Sequence, residues 1–234
     1  MAIILSARRR WLIGTAGALL LATPALAQNR RQANPTKTKA TEGGITATER
    51  LMRDSGLLLR ILAIYEAGGR RLGGGEDIEP AIFTQAAEAM RDFVHDYHEK
   101  QEEEQIFPRF KKAGRMVELI DVMQAQHASG QKLTARILEL APKSATKNER
   151  QAMIEAMQAA SVLYRPHVAR ELTDVWPTLR TLLTPNEFDE LSATLEKDET
   201  EKLGKDGFDK VAKKVEALEK RIGINDISQF TPKS

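Results

Sequence analysis

Two stretches of the chain, "DYHEKQEEEQIFP" from Asp96 and "YRPHVARELTDVWP" from Tyr164, share a skeleton: a histidine, a glutamate four residues later, an aromatic five further on, then proline. The matched positions are His98, Glu102, Phe107 and Pro108 against His167, Glu171, Trp176 and Pro177. On a helix, residues i and i+4 lie one above the other, so each copy presents one imidazole and one carboxylate side by side. Neutral imidazole and carboxylate together suit iron, manganese or zinc. The chain has no cysteine, which excludes thiolate metal sites, disulfides and cysteine nucleophiles; any metal must be held by nitrogen and oxygen.

The chain has 4 histidines, and the other two strengthen the pattern. His95, His98 and Glu102 stand at i, i+3 and i+7, so helical spacing puts all three on one face. His127 lies on a separate helical segment, on the stripe that also carries Ile120, Thr134 and Leu138. A lone His-x-x-x-Glu is more often an exposed ion pair than a ligand set. Two copies with matching downstream spacing, together with His127, favour a cation site over a metal-free polar core network. Of the run Glu102, Glu103, Glu104, only Glu102 aligns with His98, and the other two are expected at the surface. Asp174, seven residues after His167, is a reserve ligand by the same spacing. Tyr164 and Trp176 read as core packing rather than redox relays. Pro108 and Pro177 are expected to end or bend their helices, and Pro166 to bend its own.

Such residues need helices to position them, and the sequence supplies the start signals. "TATE" from Thr46, "TKNE" from Thr146 and "TPNE" from Thr184 each match a capping box. Breaks fall at "GGGEDIEP" from Gly73, at Gly114, at "APKSATK" from Ala141 and at "GKDG" from Gly204. The spacing therefore predicts four long helices, at about 47–71, 81–112, 115–140 and 147–182, and shorter ones from 185 and 207. No strand-like alternation intervenes, so the fold class is all-α, with short connections that suggest an antiparallel up-down four-helix bundle. Polar residues occupy inward positions where leucine is expected. Ser55 joins Leu51, Leu58, Leu62 and Tyr65 on the first helix, and His167 and Glu171 join Met157, Ala160, Tyr164 and Val175 on the fourth. Sinking such groups into a core costs several kcal/mol each unless something compensates, and a bound cation would.

The ends and the overall charge set the context. A formal net charge of +2 with both signs interspersed gives no field that would recruit nucleic acid. Residues 1–27 read as a targeting segment: Arg8, Arg9 and Arg10 precede an uncharged run from Trp11, and "ALA" at 25–27 is a small-residue cleavage site. "RRRWL" is similar to a twin-arginine export signal, although Ala7 stands where Ser or Thr is usual. Cleavage after Ala27 would send a protein without a stable membrane anchor to the periplasm or outside the cell. Residues 28–45 read as a solvated linker, 46–183 as the bundle and 184–234 as a C-terminal helical extension.

At the quoted motifs the chain resembles hemerythrin-like proteins of the HHE cation-binding family. The pieces that carry the resemblance are "DYHEKQEEEQIFPRF", "AQHASGQKLTARIL", "YRPHVARELTDVWP", "LLLRILAIYE" and "DGFDKVAKKVEALEKRIGI", together spanning about residues 47–232. The resemblance implies a four-helix bundle around a non-haem iron centre, usually di-iron, that binds or reacts with oxygen, nitric oxide or peroxide. It implies His98, Glu102, His127, His167 and Glu171 as ligands, with Glu102 and Glu171 suited to bridge two metals. Three departures stand out. Ser55 occupies a position where relatives carry a ligand histidine, in "DSGLLLR" rather than a segment like "EHGLLRR"; Gln131 replaces a second histidine on the third helix; and His95 is extra, able to substitute as a ligand or to hydrogen-bond nearby. Three function classes follow: a small-molecule binding or sensing protein, an oxidoreductase acting on peroxide or oxygen, or a metal-poor bundle kept as a structural module.

Overall fold

The computed structural model describes residues 44–143 and 146–232; the expected targeting segment and nearly all of the expected linker lie outside them. The described residues are helical throughout, with no strand among them. Helix α1 is Ala47–Gly73 and α2 spans 80–113. Helix α3 is Val117–Leu140, α4 spans 147–182, α5 is Pro185–Leu203 and α6 is Gly207–Arg221. All three expected capping boxes form: Thr46, Thr146 and Thr184 each accept from the backbone N–H of a glutamate three residues on, whose carboxylate accepts from the threonine N–H. Gly114 closes α2 at φ 61°, a left-handed conformation that costs glycine little. No described helix is long and apolar enough to cross a membrane.

The two long helices that carry the repeated His-x-x-x-Glu spacing are not uniform. In α2 the segments Met90–His98 and Glu102–Ile106 are π-helical, and in α4 so is Glu171–Val175. The Phe107 N–H donates to the Glu102 carbonyl, and the Trp176 N–H to the Glu171 carbonyl, each five residues back. For these last two turns the cause lies in the prolines that follow. Pro108 and Pro177 have no N–H and would press on the carbonyl four residues earlier, and one widened turn relieves that contact. Neither proline ends its helix: α2 continues to Ala113 and α4 to Leu182, close to the expected ends at about 112 and 182. Pro166 likewise sits inside an unbroken helical run, Lys147–Arg170.

The core is divided. One apolar cluster contains Leu58, Phe83, Phe93, Ile137, Met157 and Val215; a second contains Leu51, Phe107, Phe110, Met123, Trp176 and Leu191. Along α1 the second cluster is met first, at Leu51, and then the first, at Leu58. In α2 the order reverses, in α3 it reverses again, and α4 repeats the order of α2. Between the two clusters each helix contributes buried polar residues: Asp54 and Ser55, then His98 and Glu102, then His127, then His167 and Glu171. Helix α5 joins the second cluster through Phe188, Leu191 and Leu195, and α6 joins the first through Val215 and Leu218.

Candidate metal centre

The polar layer converges on one point. Ligand-capable atoms of Glu102, His127 and His167 lie within 4.8 Å of one another, and so do those of His98, Glu102 and Glu171. Glu102 belongs to both sets. Its two oxygens face different neighbours, Oε1 at 3.6 Å from His98 Nε2 and Oε2 at 3.1 Å from His127 Nε2. Across the layer, Glu171 Oε1 is 2.8 Å from His167 Nε2. All five residues are buried.

The orientation of these atoms tests whether a cation fits. His98 Nε2, both Glu102 oxygens, His127 Nε2 and Glu171 Oε1 are buried yet make no hydrogen bond of acceptable geometry. Left so, each buried polar atom costs about 1–3 kcal/mol. Five such atoms, all of ligand type and gathered in one place, fit a cation that meets them together. The far side of two of the imidazoles supports the same geometry. His127 Nδ1 is 3.0 Å from Glu103 Oε1 and His167 Nδ1 is 2.9 Å from Gln126 Oε1. An acceptor at Nδ1 holds the ring proton there and leaves the Nε2 lone pair free to ligate. The Phe107 ring stacks on His127 at 5.5 Å, and Tyr164 meets His167 edge-on at 5.7 Å, which fixes both imidazoles sterically.

Burial and mutual repulsion shape the charges. Burial and then the Glu171 carboxylate push Glu102 above the usual carboxylate range, against the pull of His127. Burial works on Glu171 in the same direction, but the adjacent His167 and His98 imidazoles and the Ser55 hydroxyl hold it below that range. For His127, burial would lower the pKa, but the adjacent Glu102 and Glu103 carboxylates outweigh it and raise it to about 10. A cation held by His127 and Glu102 would compete with protons for the same lone pairs.

Three residues singled out in the sequence stand differently from the core set. The Ser55 hydroxyl is 2.6 Å from Glu171 Oε2 and 2.9 Å from the Leu51 carbonyl, so it braces the second oxygen of Glu171. His95 does not join the cluster: Nδ1 pairs with Glu99 at 2.9 Å and Nε2 with Thr134 at 2.8 Å, occupying both ring nitrogens. Asp174 is not on the inward face either. It bonds Arg170 at 2.9 Å and Thr173 at 3.0 Å, because the π-helical turn Glu171–Val175 rotates it away from the His167 row.

Other residues took part without being foreseen. Glu103, expected at the surface, orients His127, whereas Glu104 is exposed. Glu99 is buried and bonded by His95 and by the Tyr164 hydroxyl at 2.7 Å. Its signal was present as a further His-x-x-x-Glu spacing, His95 to Glu99. Asp54 is fully buried, 3.9 Å from His98 Nδ1, and sits at helical spacing between Leu51 and Leu58. Gln126 had no sequence signal beyond adjacency to His127.

Buried in a helical bundle, two His/carboxylate sets that share one glutamate define a class of protein built to hold a cation between facing helices. The chain belongs to the hemerythrin HHE cation-binding domain family, which matches residues 46–179. That family implies a bound metal, typically iron. Among curated proteins, the uncharacterized protein Rv1995 of Mycobacterium tuberculosis is 38% identical over 200 residues, covering 85% of this chain and 78% of its own. The uncharacterized protein Mb2018 of Mycobacterium bovis matches to the same extent. No solved structure matches.

Proposed function

We propose that this is an exported metalloprotein in which α1–α4 form an antiparallel up-down bundle around a non-haem, di-iron centre that binds or senses oxygen, nitric oxide or peroxide. The observation that carries the reading is the pair of three-ligand sets joined at Glu102, with ligand-type atoms of His98, Glu102, His127 and Glu171 buried without hydrogen-bond partners. The alternating order of the two apolar clusters along α1 to α4 supports the antiparallel arrangement. Residues 1–27 would be removed, 28–45 would tether the bundle, and 184–234 would extend it.

Bound iron would supply a redox-active Lewis acid with affinity for small oxygen- and nitrogen-containing molecules. His98, Glu102, His127, His167 and Glu171 would hold it, and the same donors accept manganese or zinc. Glu103 and Gln126 keep the ring protons at Nδ1, Ser55 holds one oxygen of Glu171, and Phe107 and Tyr164 pack the imidazoles away from water.

One feature favours a second reading, an oxidoreductase acting on peroxide or oxygen. Helix α1 offers the Ser55 hydroxyl, which is a poorer ligand than imidazole and is already engaged with Glu171. A cation beside Glu171 thus has fewer protein donors and more room for an exchangeable partner. Anaerobic iron loading followed by nitric oxide titration and a peroxide assay with reductant separates the readings. Reversible binding without turnover supports the sensor, steady peroxide consumption supports the enzyme, and folded protein that takes up no metal refutes both.

A further inference from the structure

Of the three clustered imidazoles, two have a hydrogen-bond acceptor at Nδ1 and one has none. His127 uses Glu103 and His167 uses Gln126, whereas His98 Nδ1 is buried without a hydrogen bond. A carboxylate oxygen in the same condition faces it: Asp54 Oδ2 is buried, has no hydrogen bond, and lies 3.9 Å away. An imidazole that ligates through Nε2 must carry its proton on Nδ1, and that proton needs an acceptor. Closing 3.9 Å to hydrogen-bond distance takes about 1 Å of side-chain movement.

The position of Asp54 is itself set from outside. Its other oxygen, Oδ1, accepts from Arg53 Nε and Nη2, both at 3.3 Å. Arg53 Nη2 also reaches Glu199 Oε2 on α5 at 2.7 Å, and Arg50 bonds the same Glu199 oxygen. The Arg53 guanidinium lies 3.7 Å over the Phe208 ring at the start of α6. A third tie joins α5 to the site-bearing helix α2, where Gln101 Nε2 donates to the Leu195 carbonyl at 3.3 Å.

We infer that the C-terminal helix α5, beyond the family-matched residues 46–179, is part of the support of the metal centre: Glu199 fixes Arg53, Arg53 fixes Asp54, and Asp54 positions His98. The inference rests on the cluster being a cation site. If α5 only docked on α1, the Arg50–Glu199 and Arg53–Glu199 contacts would suffice, and nothing would require a fully buried carboxylate beside His98 with its second oxygen, Oδ2, left without a hydrogen bond. A buried charge without full compensation lowers stability. Its retention at this spot is accounted for by what it does to the imidazole.

The test uses the full chain, zinc as the probe metal, and a competing chelator to read affinity, alongside melting of each metal-free protein. Asp54→Leu removes the acceptor and should weaken zinc binding about 10–100-fold, the usual consequence of losing such a partner. Asp54→Asn keeps an acceptor oxygen and should lose less. Metal-free Asp54→Leu should melt no lower than the wild type, which a merely structural role for Asp54 does not allow. Glu199→Gln should weaken zinc binding several-fold, and Arg53→Gln should do the same from the other side of the contact. Neither effect should persist in an Asp54→Leu background, because both act through Asp54. Zinc affinity of Asp54→Leu within about threefold of the wild type overturns the inference, well short of the 10–100-fold expected of such a partner. So does a Glu199→Gln effect undiminished in that background. A wild type that binds no metal overturns the reading of the site as well, so the two failures are distinguishable.

Discussion

In the metal-free protein, Asp54→Asn should raise stability at neutral pH. Burial drives the Asp54 carboxyl from its ordinary 3.8 up to about 6, and the attraction of His98 and Arg53 only partly opposes this. At 1.36 kcal/mol per pH unit, that displacement corresponds to about 3 kcal/mol. The sign follows from the direction. Because the folded-state value lies above the unfolded one, the contribution is intact below about pH 3.8 and is lost as pH rises through about 6. At neutral pH the wild type therefore carries a cost of about 3 kcal/mol from one side chain, a large part of the 5–15 kcal/mol that usually separates folded from unfolded chains. Asparagine fills the same space and is neutral at every pH. Urea unfolding of chelated wild type and variant at a series of pH values should show no difference near pH 4 and a growing advantage for the variant up to about pH 8. A variant less stable than the wild type across the whole range would refute the reasoning. Asp54 would then be a net stabilising partner of Arg53 rather than a buried charge tolerated for the sake of His98.

Three further outcomes follow. Gly130→Ala should destabilise by about 1–3 kcal/mol, since its Cβ would stand 1.8 Å from the Tyr164 hydroxyl that bonds Glu99; Gly56→Ala, with nothing within 4 Å, should be neutral or stabilising by up to about 1 kcal/mol in chemical denaturation. Metal-free protein should lose stability in alkali, because His127 is raised from 6.5 to about 10, so its contribution is whole below about pH 6.5 and disappears as pH passes through about 10; a cation that keeps the imidazole neutral should abolish that loss, as melting curves with and without chelator would show.

Much of this arrangement was legible in the residues. The three Thr-x-x-Glu boxes marked helix starts that form as written, and the inward rows that pair Ser55 with Leu51 and His167 with Tyr164 are buried as their spacing requires. The five residues His98, Glu102, His127, His167 and Glu171 were candidates from the doubled motif, one isolated histidine and the family resemblance, and their side chains come together. What escaped depends on departures from regular α-helical geometry or on long-range packing. Asp174 was placed inward by a period of 3.6, which the π-helical turn before Pro177 breaks. His95 was assigned to the His98 face, but across the widened stretch Met90–His98 it belongs with Glu99 and Thr134. Glu103 looked like solvated surface because its partner, the Nδ1 of His127, comes from a helix 24 residues away in sequence. The reach of Glu199 to Arg53 across 146 residues has no local signature at all.

Metal content of the purified chain tests the central claim most directly, with Glu102→Leu beside the wild type because Glu102 belongs to both candidate ligand sets. After anaerobic loading and desalting, elemental analysis should find two irons per wild-type chain and a loss of most of that metal in Glu102→Leu, while the variant stays folded by circular dichroism. Well-folded wild type holding no iron, manganese or zinc, or a Glu102→Leu variant that retains the full complement, would contradict it.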